Sequence, residues 1–579
     1  MNDPTHSYVL GAPVSGNDMF RNVPARFLPP ADRAATYYFP IPWMHTAIHA
    51  PGLNAGFELL GRRLADTPEA AHRVGIHDET RGLELTFGEI WENANRLANS
   101  LRALGLQPGE RVLYRFGEVA DAAVTKLAIL IAGGIAIPSG LQDGPGELAY
   151  VLADAEVSIV VAQDARLNIV DEAVAQPGSS TVRAVVVSPA APAGSSHLSF
   201  GELVATGSPE VDIAATAPLD AASIYYTGGT TGRPKGVIYT HFHEAHQPTD
   251  MAIWSTRRPR GDDVWMTHAP LGHAFGNMEK INYPLRALIP TVYKDRPTGA
   301  DCLELLIRHR VTYFAGIAAM YARILDAMGD STPELSLRLA KAGGEGLTQE
   351  LCDRWLQVCP AAPLANSYGC VTTQSTLITS MIAGRKVGPA ASIGLPIPGV
   401  EVAIRTADGA LLPEAPGLTG RLAFRGPVGP TYWTNLNPTL PELMKADQQD
   451  GWHLSDDEVA IDDDGWFYFL SRVHDMMRIS GRNVAAVEVE EVLKLHPDVA
   501  DAAVIALPMP DHTAVIKAFI CLRPECPDDG DALRENIRDF AKSKMSLYKA
   551  PRIIAFVPEL PRDHLGKLRR KALNANPIT

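Results

Sequence analysis

Short apolar runs rich in β-branched residues alternate with amphipathic segments through the first third of this chain. "ERVLYRF" (110–116), "SIVVA" (158–162) and "RAVVVSP" (183–189) each have the length of one strand. Between them lie stretches of helical period, of which "LTFGEIWENANRLANSLRALGL" (85–106) is the clearest. A strand that is apolar along its whole length must be covered on both faces, and intervening helices do this. The pattern predicts an α/β fold of sheets covered by helices. At 579 residues the chain is long enough for about two to four domains. Its hydrophobic content of 46% and charged content of 20% suit large buried cores. "LAILIAGGIAIPSGL" (127–141) is short for a membrane span, and its Gly133-Gly134 break suits a buried helix turning into a buried strand.

The pattern changes after about residue 400. "VEVAIRT", "GRLAFRG" and "GWFYFLS" alternate like antiparallel strands, joined by turns such as "ADGA" and "DDDG". The last hundred residues read as a small α+β unit: a helix ("VEVEEVLKLHP"), strands ("DAAVIAL" and "VIKAFICL"), a helix over 531–545 and a strand ("RIIAFV"). A boundary is expected near 472–475. "SPAAPAGSS" (188–196) reads as a surface loop, and no period of 20–50 residues marks a repeat protein.

The net charge of −14 argues against a nucleic-acid surface and against docking on anionic lipid, but leaves room for a local cationic site. Six cysteines fit no zinc spacing and read as reduced cytosolic thiols. "MNDPTHSYVL" lacks the basic and apolar regions of a secretory signal, so a cytoplasmic protein is expected. Charge is also unevenly spread. From Arg354 to Val400, 47 residues contain no Asp or Glu, where the chain average predicts about five.

Two stretches invite chemistry. In "YYTGGTTGRPKGV" (225–237) an apolar strand runs into a loop of Gly and Thr ending at Lys235. Glycines let backbone N–H groups approach a polyphosphate, and hydroxyls and a lysine complete an anion cradle. The loop is not a Walker A motif, and the plain alternative is a glycine-rich turn. "THFHEAH" (240–246) places His243 and His246 on one helix face beside Glu244. A zinc site there lacks a third ligand and an outer shell, and a polar helix start is preferred.

The run Thr227, Gly228, Gly229, Thr230, Thr231, Gly232, Pro234 and Lys235 resembles the phosphate loop of the adenylate-forming superfamily: acyl- and aryl-CoA ligases, luciferases and peptide-synthetase adenylation domains. Further segments resemble the family's motifs in order. They are "APLGHAFGN" (269–277), "KAGGEGL" (341–347), "NSYGCVTTQST" (366–376), "GWHLSDDEVAIDDDGWFYF" (451–469), "SRVHDMMRISGRNVAAVEVEE" (471–491), "YKAPR" (548–552) and "PRDHLGKLRR" (561–570). The benzoate- and 2-aminobenzoate-CoA ligases are the nearest subgroup, judged from the C-terminal half and the opening "RFLPP…LNAGFELL".

The resemblance implies a large N-terminal AMP-binding domain over 1–472, with a β-rich subdomain about 400–472. A small mobile α+β C-terminal domain over 473–579 would carry the catalytic lysine. It implies ATP, Mg²⁺ and CoA, a small aromatic acid as substrate, and no nucleic-acid or membrane partner. Lys567 would be catalytic with His273, and Gly566 would let its loop approach. Gly343, Gly344 and Glu345 would lie on the adenine, and Tyr368 beside Gly369 would stack on it. Asp457 would accept the ribose hydroxyls, Arg472 would hold ribose or phosphate, and Gly481 would let pantetheine pass. His273, Phe275, Gly276 and Asn277 would shape the acid pocket.

Three departures from the family pattern stand out. The position that usually holds a metal-binding Glu is Thr372, a weak neutral ligand; a slipped alignment puts Thr373 and Gln374 at the motif's Thr and Glu positions instead, still without a charge. His474 stands at the hinge in place of Asp or Lys, as a tolerated change or a pH-sensitive one. "GIAAMY" (316–321) lacks the usual Pro. The reading is ATP-dependent adenylation followed by thioester formation with CoA. Its alternatives are acyl transfer to a carrier protein, activation of nitrite for an arylamine (a diazotase), and a non-catalytic nucleotide-binding homologue.

Overall fold

The computed structural model describes the chain apart from residues 1–13, 16–18, 30–35, 40, 228–233, 247–259, 330, 332, 345, 382–386, 438–439, 473–475, 480–481, 509–513, 525, 527–529, 546–548, 563–567 and 575–579. Two compact units emerge: Met1–Val402 with Phe424–Leu454, and Ala403–Ala423 with Ser455–Thr579.

The first unit is the expected α/β alternation. One sheet places Arg111–Arg115 between Ile135–Ser139 and Ile159–Gln163, all parallel, and these runs are the β-branched segments of the sequence. Arg111–Arg115 and Ile135–Ser139 are buried along their whole length, as strands covered on both faces must be. The helix Phe87–Ala103 starts where Thr86 and Glu89 close a capping box. Helix Ala120–Ile131 gives way at Gly133, whose φ of +85° favours glycine, to the buried strand Ile135–Ser139. Ala221–Thr227 and Lys235–Thr240 form an antiparallel hairpin at the sheet edge.

A second sheet of nine strands carries a parallel centre. Leu364–Gly369, Leu339–Gly343, Tyr313–Gly316 and Trp265–Thr267 are successive neighbours within it. The segment after Trp265–Thr267 forms a buried helical stretch: Ala274–Asn277, a wide π-helical turn over Met278–Asn282, and Tyr283–Ala287.

In the second unit, Glu401–Arg405 pairs antiparallel with Leu411–Pro413, and Trp452–Ile461 with Phe467–Arg472. The C-terminal residues give helix Ala486–Lys494, strands Val499–Pro508 and Ala514–Leu522, helix Asp531–Lys544 and strand Ile553–Phe556. Val489, Leu493, Val504, Ala518 and Ile537 are buried together at its core. Among the described residues no helix is long and apolar enough to cross a membrane.

Candidate active site

Four adjacent parallel strands bring their carboxyl ends to one edge of the nine-stranded sheet, the edge where open α/β sheets receive ligands. Residues that lie far apart in sequence gather there. Trp265–Thr267 leads to His268 and His273, Tyr313–Gly316 to "IAAMY", Leu339–Gly343 to Gly344, and Leu364–Gly369 contains Tyr368. Gly343 pairs in register with Ser367, one residue before Tyr368. A Cβ on Gly343 would lie 3.6 Å from the Phe275 ring, so that ring packs on the glycine. Phe275 and Gly343 are therefore brought together. His273 caps the short helix through its Nδ1, which accepts from the Phe275 N–H at 3.3 Å.

His268 stands at the same edge. Its Nδ1 would lie 3.4 Å from a Cβ on Gly316, and this buried nitrogen has no hydrogen-bond partner. Burial pushes its pKa down to about 3, helped by Lys280 and Arg323, so the ring is neutral.

Thr227 and Lys235 face each other in the hairpin register, so the two strands close on the Gly-Thr loop from both sides. The Lys235 ammonium lies 5.9 Å from the centre of the Tyr432 ring. Gly228, Gly229, Thr230, Thr231, Gly232, Glu345, His474, Gly481 and Lys567 lie outside the described residues, as does the side chain of Arg472. Asp457 is half-buried, and its backbone pairs with that of Arg472.

Tyr368 is half-buried on the last strand. Gly369 is required next to it, because a Cβ would lie 2.3 Å from the Ser375 carbonyl oxygen. The following turn separates the two alignments of the missing carboxylate. Gln374 is turned inward with φ +57°; its Nε2 donates to the Ile238 carbonyl at 2.6 Å and its Oε1 accepts from the Gly429 N–H at 3.0 Å. The Thr373 hydroxyl is also buried, 2.6 Å from the Ser375 carbonyl. Thr372 is half-buried, its hydroxyl 2.9 Å from Cys370 Sγ. Among the described residues no group of three or more His, Cys, Asp or Glu could hold a metal ion. Of the two aligned positions, Thr372 is thus the one left partly exposed, where its hydroxyl could meet a phosphate-bound Mg²⁺ directly or through water.

Asn277 and Gly276 serve the packing behind the edge. A Cβ on Gly276 would lie 2.1 Å from the Pro270 carbonyl oxygen, so this glycine lets the helix lie against that loop. Asn277, two residues beyond Phe275, points to the other side of the helix and is fully buried. Its Oδ1 accepts from Lys126 Nζ at 2.6 Å, and its Nδ2 donates to the Leu271 carbonyl at 3.0 Å. The sequence pattern had placed Asn277 at the pocket; its polar atoms are spent in the interior instead.

The histidine-rich patch is likewise interior. His241 Nδ1 accepts from the Ala55 N–H at 3.0 Å, and His243 lies 2.9 Å from the Pro427 carbonyl through Nε2. Burial holds both near pKa 4. Glu244 pairs with Lys126 at 2.7 Å, both fully buried. The polar helix start, rather than a metal site, is what these residues form. Two further buried pairs lie here, Lys341 with Glu279 at 2.6 Å and Lys280 with Glu118, and no local pattern in the chain announces either.

An open parallel sheet whose strand ends gather Phe275, Gly343 and Tyr368 at one edge has the architecture of a ligand-binding α/β enzyme. The chain belongs to the AMP-binding enzyme family, whose model matches residues 61–433; the model of the AMP-binding enzyme C-terminal domain matches 488–567. It is 31% identical over 535 residues to a benzoate–CoA ligase of Thauera aromatica, covering 90% of this chain and 96% of that protein. A crystal structure of an anthranilate CoA ligase in complex with anthranoyl-AMP is similar with a TM-score of 0.80 and 26% identity, covering 91% of this chain and 97% of that one. A benzoate CoA ligase from Burkholderia xenovorans LB400 is similar with a TM-score of 0.77 and 27% identity, covering 90% and 99%.

Proposed function

We propose that the chain is an AMP-forming acid–CoA ligase that adenylates a small aromatic carboxylic acid and passes the acyl group to CoA. The observation that carries this reading is the packing of the Phe275 ring on Gly343 at the strand-end edge. A flat apolar wall against a side-chain-free strand end suits an aromatic ring. The relatives named above act on benzoate and anthranilate, and nitrite activation has no counterpart among them.

Adenylation brings an anionic carboxylate onto the α-phosphate of ATP, so cations belong where charge develops. Lys567 supplies this in the first half-reaction, with the Thr227–Lys235 hairpin holding the phosphates. Asp457 accepts the ribose hydroxyls, Arg472 holds the ribose or phosphate, and Tyr368 stacks on adenine. The acid-free stretch from Arg354 to Val400 includes the strand Leu364–Gly369 at this edge. Fewer fixed anions there mean less repulsion of a triphosphate and a carboxylate. On the family resemblance, the residues from 473 onward would carry the catalytic lysine, with His474 as the hinge position and Gly481 as the residue that would let pantetheine pass. The work is cytoplasmic.

The test is pyrophosphate release with benzoate, 2-aminobenzoate, octanoate, or nitrite plus an arylamine, each with and without CoA. CoA-dependent release with the aryl acids is expected. Release with nitrite and amine alone, or none at all, overturns the reading.

Bound Mg²⁺ would be held mainly by the ATP phosphates and water, with Thr372 as the one neutral side chain at the usual carboxylate position, as this hard ion tolerates. Thr372→Glu is expected to lower the Mg²⁺ concentration for half-maximal rate about three- to tenfold. An unchanged requirement would mean that position 372 does not face the metal.

A further inference from the structure

We propose that Lys126 is a positioning residue that couples the nucleotide loop to the acid pocket. Its ammonium is sealed in the first unit, 0% exposed, where three separate elements converge on it. Tyr225, 3.3 Å away through its hydroxyl, sits on the strand Ala221–Thr227 that leads into the phosphate loop. Glu244, at 2.7 Å, sits on the helix His241–Ala245 that follows the loop's second strand. Asn277 and Asn282, at 2.6 and 2.7 Å, sit on the helical stretch whose first turn carries Phe275. The partners are also tied to one another: Tyr225 OH lies 3.0 Å from Glu244 Oε1, and Asn282 Nδ2 donates to Glu244 Oε2 at 2.7 Å.

Stability alone does not account for this arrangement. Burying an ion pair costs desolvation energy, and apolar residues of similar volume often serve as well or better. A lysine amid these oxygens instead fixes geometry, because moving any one element breaks a charged hydrogen bond to the others. The wide turn Met278–Asn282 lets Asn277 and Asn282 both reach the same cation. A ring entering against Phe275 therefore bears on the strand before the phosphate loop. The consequence is a positive coupling: bound acid tightens the nucleotide, and bound nucleotide tightens the acid by the same factor.

This rests on the ligase reading, and calorimetry separates the two. The Kd of a non-hydrolysable ATP analogue is measured with and without saturating benzoate, in the whole chain and in two variants. Wild type is expected to show at least about fivefold tightening. Lys126→Met/Glu244→Met removes both charges together, so neither is left unpaired. It is expected to unfold within a few degrees of wild type, to bind each ligand alone within about twofold, and to lose the tightening. Tyr225→Phe deletes one hydroxyl, leaves the fold intact and is expected to weaken the coupling at least about twofold. Coupling at the wild-type level in either folded variant overturns the role of the lysine alone. A wild-type chain that binds the nucleotide analogue but no aryl acid overturns the ligase reading and this inference together.

Discussion

Lys567→Ala is expected to slow pyrophosphate exchange at least about 100-fold, the scale on which one preorganised charge acts in a transition state. Preformed acyl-AMP should still be converted to thioester at close to the wild-type rate, because the lysine serves the first half-reaction only. ATP binding, read by calorimetry, should change by less than about threefold, since the phosphates keep the loop that ends at Lys235. The contrast between the half-reactions is the informative part. A merely structural lysine would depress both, and equal losses would remove its catalytic assignment. Lys567 lies outside the described residues, so the assignment stands on its place in "PRDHLGKLRR".

Acid is expected to unfold the first unit well above the pH at which ordinary carboxylates titrate. Burial holds His241 and His243 near pKa 4 and His268 near 3, against 6.5 for a free histidine. The unfolded chain therefore binds more protons, and stability falls as pH drops below 6.5. At pH 5 each such histidine has cost about 2 kcal/mol, and together they consume about 6 kcal/mol of a typical 5–15. Asp78 and Asp154, whose pKa values burial raises, act in the opposite sense. The histidine share is read from His241→Asn, whose amide oxygen can keep the bond from the Ala55 N–H. Urea midpoints at pH 7.5, 6 and 5 should fall steeply in wild type and less steeply in the variant. Equal slopes would show that His241 is already charged in the folded protein.

The layered fold was legible because β-branched runs leave a strand few alternatives. "ERVLYRF" and "SIVVA" appear as neighbouring buried strands, and the Gly133-Gly134 break appears as a helix turning into a strand. Side-chain direction was less legible. Asn277 sits in a motif that suggested a pocket, yet two residues of helix past Phe275 turn it the other way. Thr372 and Gln374 were equivalent alignments until the left-handed backbone at Gln374 turned its amide inward. Least legible was the setting of Lys126. Its partners lie 99, 118, 151 and 156 positions away, so periodicity could not link them. A lysine inside the apolar helix Ala120–Ile131 was the one local sign.

The clamped helix also says where new substrate preferences could arise by mutation. Changes along Met278–Asn282 disturb lysine pairs, and any side chain at Gly276 collides with the Pro270 backbone. The turn after Leu339–Gly343 is more permissive, since a Cβ on Gly346 would meet nothing within 4 Å. Variation on this scaffold would therefore be drawn from Gly346 rather than from Gly344, whose φ of +80° disfavours a side chain, while the helical wall stays constant.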